Sequence, residues 1–397
     1  MNDAASTRRF WWLLFAGVGV LLLGLAAALY KFTHGHIVTG MSNQVVWGLP
    51  HVFAIFLIVA ASGVLNVASV ATVFGQAAYK PRARLSGLLS IALLTGGLMV
   101  LMLDLGRVDR IIVAATHYNL TSVFAWNVFL YSGMVVLVAV YLWTSFERRL
   151  NPWSKPVGMA VLIWRIALTT GTGLIFGFLV ARQAFQSALL APLFIVMSLG
   201  WGLAVFLLVQ AAMYRWNSRL LPADIGRRMA RLLGIFVAAS LYLVAVLHLT
   251  GLYYARQSEF EAFLLLGRNG GGIYATLFWL GYVLIGSLLP LLLLFHPRGG
   301  KRGALAAAAL VIFGAFAWLF VFIIGGQAFP LEIFPGHIVT SGIGDGAVAH
   351  YVPRWPEWLL GFGGVAAAFV MTLVGVRVLD FMPRDDERPV RAREGVT

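Results

Sequence analysis

Apolar residues in this chain neither alternate with polar ones nor keep to one face of a helix. They run in long stretches separated by short polar segments. A helix rises about 1.5 Å per residue, so about 20 mostly apolar residues cross a hydrocarbon layer of about 30 Å. Ten stretches reach that length, near residues 11–30, 50–74, 86–105, 122–143, 157–179, 190–213, 231–253, 273–296, 303–325 and 357–378. The first is long for the apolar core of a secretory signal, and no clear cleavage site follows it, so it is read as a helix. The pattern predicts an all-α polytopic membrane protein with ten transmembrane helices.

Composition removes the alternatives. Of 397 residues, 60% are hydrophobic and 11% charged. Soluble domains carry about 25% charged residues, which excludes an ordinary soluble enzyme, a disordered chain and a secreted disulfide scaffold. The chain has no cysteine. It therefore cannot hold an iron–sulfur cluster by thiolates, use a cysteine nucleophile or form a disulfide. The net charge of +14 is spread over short loops, so nucleic acid is not an expected partner. Most of the basic residues lie on the side that holds both termini, including Arg8, Arg9, Lys80, Arg82, Arg84, Arg227, Arg228 and Arg231. The positive-inside rule then places both termini in the cytoplasm. On the other side three loops are long, 31–49, 254–272 and 326–356, which marks that side as the docking face. Trp11, Trp12, Trp47, Trp153, Trp216, Trp355 and Trp358 fall near span ends, as an interfacial aromatic belt requires.

Ionisable side chains are costly inside a bilayer, so their places are informative. None of the 15 acids falls at mid-membrane depth, which argues against a buried-carboxylate pump or an ion-coupled carrier. Asp104 sits at the outer end of the third span. His51 opens the second span and His248 lies inside the seventh, toward its outer end. Those two are the only imidazoles that could form a b-type haem pair by depth; the competing reading of His248 is a core imidazole bonded to a nearby backbone carbonyl or hydroxyl.

The most informative stretches are three that alternation of direction brings to one depth. Trp47-Gly48-Leu49-Pro50-His51 begins span two, and Leu103-Asp104-Leu105-Gly106-Arg107 ends span three. Thr116-His117-Tyr118-Asn119-Leu120-Thr121-Ser122, followed by Trp126, begins span four. An acid, imidazoles, amide and hydroxyl donors and aromatic walls together suit a quinone head. Asp104 and His51 are the candidates for proton exchange. His51, His117, Tyr118, Asn119, Ser122 and Trp126 are the candidates for quinone contact. Plainer readings stand beside these. Gly48 and Pro50 fit a helix start, Asp104 with Arg107 fits a helix-end ion pair, and Asn119 fits a helix cap. Arg165, placed in the inner half of span five, either snorkels or pairs with a carbonyl. Thr169, Thr170 and Thr172, with Asn66, Ser69 and Ser240, either line a polar path or bond their own helix backbone.

These stretches resemble the NrfD/PsrC family, the membrane subunits of polysulfide-reductase-like complexes. The resemblance runs through Trp47-Gly48-Leu49-Pro50, Leu103 to Arg107 and His117 to Ser122. It continues through Arg165 to Arg182, Ala191-Pro192-Leu193-Phe194, Gly286-Ser287-Leu288-Leu289-Pro290 and Gly325 to Gly336. It implies two four-helix bundles, about 50–179 and 190–325, flanked by helices 11–30 and 357–378. It also implies a quinone, menaquinone or ubiquinone, near the outer face, with no metal bound by this chain. A periplasmic ferredoxin-like iron–sulfur subunit is the implied partner, with a molybdopterin, hydrogenase or multihaem cytochrome subunit beyond it.

The leading expectation is a quinone-reactive subunit of a respiratory oxidoreductase in a bacterial inner membrane. A purely structural membrane anchor and a secondary transporter are the alternatives. The transporter would need short, interrupted spans in corresponding halves, and no such pair is visible in the sequence.

Overall fold

The computed structural model describes residues 3–117, 119–217, 221–296, 300–331, 346–379 and 381. Among the described residues all regular structure is helical. Ten helices are long and apolar enough to cross a membrane. They are α1 (Thr7–His34), α2 (Leu49–Thr72), α3 (Ala77–Leu103), α4 (Val123–Phe146), α5 (Arg148–Gly177), α6 (Leu190–Trp216), α7 (Ala223–Tyr253), α8 (Gly272–Phe295), α9 (Gly300–Ala328) and α10 (Trp355–Val378). Their number and order match the hydropathy reading. Helices α3 and α5 begin about nine residues earlier than the apolar runs do. The reason is that Lys80, Arg82, Arg84 and Arg148 end the apolar run but not the helix: Lys80 and Arg148 are exposed, and the buried Arg82 donates to the Ala78 carbonyl and the Tyr214 hydroxyl at 3.0 Å.

The helices close into two rings. Helix α2 packs on α3, α3 on α4, α4 on α5 and α5 back on α2, while α6, α7, α8 and α9 close a second ring. Helix α2 is the hub. It also touches α6, α9 and α10, and its apolar stretch is 94% buried. Helix α1 lies along α10 and is only 22% buried in its most apolar stretch, leaving most of its surface to lipid. We call the side carrying the segments 35–48 and 254–271 the loop face, and the opposite side the terminal face.

Close crossings fix the hub. A Cβ on Gly63 would stand 1.6 Å from the Ser198 carbonyl oxygen, and one on Gly202 would stand 2.2 Å from the Gly63 carbonyl carbon. Helices α2 and α6 therefore touch backbone to backbone, which only glycine permits. Two residues further, α2 breaks at Leu65. Freed backbone groups in a bilayer need partners, and Ser86 of α3 supplies them. Its hydroxyl donates to the Val64 carbonyl at 2.7 Å and accepts from the Ala68 N–H at 3.3 Å.

Wide π-helical turns occupy Leu277–Leu288 in α8 and Phe320–Gly325 in α9. The segment 254–272, expected as a plain loop, contains the helix Ser258–Leu266. Its apolar residues Phe260, Phe263 and Leu264 are buried, an amphipathic face too short for a transmembrane-length search to find.

Gly63→Ala and Gly202→Ala should each lower the thermal midpoint of the purified chain. A control substitution at Gly19, around which nothing lies within 4 Å, should leave it nearly unchanged. Thermal unfolding in detergent checks this.

Candidate functional site

Three helix ends meet at the loop face. Lys31 lies in the last turn of α1, Asp104 follows α3 directly, and His51 is in the first turn of α2. Asp104 is buried between the other two. Lys31 Nζ donates to Asp104 Oδ1, and His51 Nδ1 lies 2.9 Å from Asp104 Oδ2. Side-chain exposure is 1% at Asp104 and 15% at His51. Burial alone would raise the Asp104 carboxyl. The contacts with His51 and Lys31 outweigh it and hold the group below its ordinary value. Asp104 is therefore a carboxylate at neutral pH. A depressed carboxylate contributes stability that is complete above its unfolded value, about 3.9, and is lost as pH falls through the lower folded value.

On the α1 side of this row opens a groove of about 420 Å³. Leu25, Leu29 and Phe32 of α1 face Leu103 and Leu105 across it, and Lys31, His36 and Asp109 supply its polar groups. Burial, and next the Lys31 cation, push the His36 imidazole below 6.5. His36 is thus a neutral ring at pH 7, able to accept a proton.

His51 is fixed from its other side. Trp47 stacks on it, with ring centroids 5.9 Å apart and planes 28° apart, and also touches Phe124, Phe176 and Phe185. The Trp47 backbone is held by Gln327 from the end of α9. The Gln327 side-chain oxygen accepts from the Val46 and Trp47 N–H groups at 3.0 Å, and its amide donates to the Trp47 carbonyl at 2.9 Å. Arg182 braces both strands of chain, donating to the Gln327 carbonyl at 2.9 Å and the Gln44 carbonyl at 2.7 Å. Burial lowers the Arg182 guanidinium from its ordinary value.

Glu357, in the first turn of α10, completes the frame. It accepts from the Gly40 and Arg354 N–H groups at 2.8 Å and from the Tyr351 hydroxyl. The Tyr351 oxygen accepts from the Leu49 N–H at 2.6 Å. Burial, followed by Glu357, raises the Tyr351 hydroxyl far above its ordinary value, so it remains a donor. A Cβ on Gly48 would meet Glu357 Oε1 at 2.5 Å and the Tyr351 hydroxyl at 2.8 Å. Gly48 is therefore required by this close approach, beyond the plain helix start that its sequence context allows.

The family model described as polysulphide reductase, NrfD matches residues 37–331. The chain belongs to the NrfD/polysulphide reductase family. It is similar to the Hdr-like menaquinol oxidoreductase integral membrane subunit of Archaeoglobus fulgidus, 30% identical, covering 92% of this chain and 93% of that one. It is also similar to a putative dimethyl sulfoxide reductase membrane subunit of Halobacterium salinarum, 30% identical over 91% of this chain and 89% of that one. Protein NrfD of Escherichia coli is 25% identical, covering 72% of this chain and 96% of its own length. The family match begins after Lys31 and ends before Tyr351 and Glu357, so part of this chain's frame lies outside it.

Within this NrfD-family protein the expected site is only partly assembled. Asp104 and His51 meet as expected. Arg107 does not pair with Asp104; it is exposed and bonds Asp109 at 2.8 and 3.0 Å, because Lys31 already fills the buried side of Asp104. No hydrogen bond, ion pair or ring contact among the described residues joins His117, Asn119, Ser122 or Trp126 to His51 or Asp104. His117 bonds Thr116 at 2.9 Å and Asn119 bonds the Thr121 N–H and hydroxyl. Ser122 holds the N-cap position of α4 without a side-chain capping bond, and Trp126 Nε1 donates to the Leu120 carbonyl at 2.6 Å. These contacts organise their own loop. Tyr118 lies outside the described residues, as does the middle of the 326–356 loop.

Arg165 lies near the middle of α5 and is buried, so it does not snorkel. Its guanidinium donates to the Ser62 carbonyl at 3.4 Å. Thr169 and Thr172 bond carbonyls of their own helix, and Thr169 also meets the Ser62 hydroxyl at 2.8 Å. Thr170 is half-buried on the same helix, and Asn66 is half-buried just after the break in α2.

His248 Nδ1 lies 2.8 Å from Glu261 Oε2, so its partner is a carboxylate of the helix Ser258–Leu266, not a backbone carbonyl or hydroxyl. His248 belongs to the second ring and His51 to the first, which rules against the two as a haem pair. Sequence reasoning missed Lys31, Gln327, Arg182 and Glu261 as partners. The signal for Lys31 was a lone lysine at a span end, just before the loop face.

Breaking one side of a buried pair costs about 3–5 kcal/mol, so Lys31→Met should destabilise the chain by that order. Lys31→Met combined with Asp104→Asn should recover most of it. A double-mutant cycle by thermal unfolding checks this, and strictly additive losses would contradict the contact.

Proposed function

We propose that this protein is the quinone-reactive membrane subunit of a respiratory oxidoreductase complex. The observation that carries the proposal is an apolar groove of about 420 Å³ lined by His36 and Lys31, with Lys31 paired behind the wall to the buried Asp104 and Asp104 to His51. That volume is in the range of small-molecule sites, and the combination of apolar walls with a few convergent polar groups is what such sites use. The menaquinol oxidoreductase name of the Archaeoglobus relative supports the same reading.

The residues have complementary roles. The Lys31 ammonium and the His36 ring hold the head oxygens. Oxidation of a quinol releases two protons and two electrons. Neutral His36 takes one proton; the other is taken up at Lys31 as its ammonium gives a proton to the Asp104 carboxylate, which hands it to His51, the more exposed end of the row. Reduction runs the same steps backward. With no cysteine to hold clusters of its own, the protein passes the electrons to a partner. We place that partner, a periplasmic ferredoxin-like iron–sulfur subunit, on segment 35–48 and the segments that brace it. A molybdopterin, hydrogenase or multihaem cytochrome subunit lies beyond. In this reading the protein sits in a bacterial inner membrane, and the charge bias of its loops supports an orientation with both termini cytoplasmic.

Quinol-linked turnover of the assembled complex tests this. His51→Ala and Asp104→Asn should each lower it by about a hundredfold, the usual contribution of a positioned acid or base, with assembly intact. Unchanged turnover in both would leave the protein a structural anchor. His36 loses its basic capacity as pH falls below its depressed value, so wild-type quinol oxidation should fall on the acid side. His36→Gln should be slow and lack that limb in a pH–rate profile.

A further inference from the structure

The His248–Glu261 pair stands in the second ring, and the proposed chemistry leaves it unused. Its nitrogen and oxygen are 2.8 Å apart, with side-chain exposures of 13% at His248 and 5% at Glu261. The pair joins α7 to the helix Ser258–Leu266. Gly251, just beyond His248 on α7, makes room for it: a Cβ there would stand 2.2 Å from Glu261 Oε1. A helix of nine residues is marginal on its own, so its neighbours must hold it. Burial of Phe260, Phe263 and Leu264 decides which face turns inward, but apolar contact is non-directional. The bond between Glu261 and His248 is directional and sets the register of the helix along α7.

Three contacts lead from this region to Trp47. Phe260 and Phe263 pack on Phe329 with ring centroids 5.5 and 5.4 Å apart, and Phe329 follows Gln327 by two residues. Gln257, at the N-cap of the helix, donates to the Gln183 carbonyl at 3.3 Å, and Gln183 follows Arg182. Ala184 and Gln186 share the wall of a cavity of about 50 Å³ with His248 and Glu261, and Phe185 between them meets the Trp47 ring at 6.3 Å. We infer that His248 and Glu261 are positioning residues for the loop-face row: they pin the helix Ser258–Leu266, the helix steadies Arg182 and Gln327, and these hold the Trp47 ring against His51. The effect on the setting of His51 needs only these contacts, while the effect on turnover rests on the proton-exchange reading above.

The test reads His51 directly. Purified full-length protein is treated with diethyl pyrocarbonate, which acylates accessible imidazoles, and the His51 peptide is followed by mass spectrometry. His51 should react at least about twofold faster in His248→Leu and in Glu261→Ala, the low end of what a packed network transmits. His248→Asn, whose amide nitrogen can stand in for Nδ1, should restore the wild-type rate. Gly286→Ala loosens the second ring elsewhere, since a Cβ there would stand 2.4 Å from Gly314 Cα, and should leave the rate unchanged. In the assembled complex the first two variants should lower kcat for quinol by a similar factor with KM unchanged, because the groove wall is undisturbed. If His248→Leu fails to fold with its carboxylate partner left unpaired, Glu261→Ala, which leaves no buried carboxylate there, decides alone. A wild-type His51 rate in Glu261→Ala, or an equal rise in Gly286→Ala, would overturn the inference. A faster His51 rate, with turnover indifferent to both Glu261→Ala and His51→Ala, would keep the positioning and overturn the proton-exchange reading instead.

Discussion

A carboxylate buried at the end of a membrane helix must be paired, and the loop face is organised by the pairing of Asp104. Its two oxygens face Lys31 on α1 and His51 on α2, so one side chain ties three helix ends together. The pairing sets the chemistry as well as the packing. It keeps Asp104 ionised despite burial. It also places an ammonium at the groove and an imidazole on the far side. An unpaired charge at this depth would be too costly to keep, so the row exists as a unit or not at all.

The surrounding frame keeps that unit in place with backbone bonds. Gln327, Arg182, Tyr351 and Glu357 act mainly on main-chain groups of residues 40–49. The result is a segment that carries Trp47 and delivers His51 at a fixed angle, while Gly48 passes between Tyr351 and Glu357. Preorganisation of this kind is what a site for reversible proton exchange needs, because reorganisation at the moment of reaction is avoided. The same residues bring segment 35–48 against the ends of α9 and α10.

Much of the architecture was legible in the sequence. Transmembrane length is a local property, so ten apolar runs gave ten helices, and a lone acid and a lone imidazole at span ends gave Asp104 and His51. Partnership was less legible, because it depends on which helices become neighbours. Lys31 and Asp104 are 73 residues apart, and Gln327 and Trp47 are 280 apart. No periodicity reports such pairs. The loop before α4 stands apart from the Asp104 row: His117, Asn119 and Trp126 make their hydrogen bonds to near neighbours in the chain. Helix Ser258–Leu266 was hidden by its shortness, and with it the carboxylate that His248 needs.

The central claim is that quinone binds in the groove between α1 and the end of α3. Photolabelling of the native complex with an azido-quinone, followed by peptide mapping, tests it most directly. The account predicts label on residues 25–36 and 103–109, displaced by excess unlabelled quinone and reduced in Lys31→Met with Asp104→Asn. Displaceable label confined to the second ring, around His248 and Glu261, would contradict it.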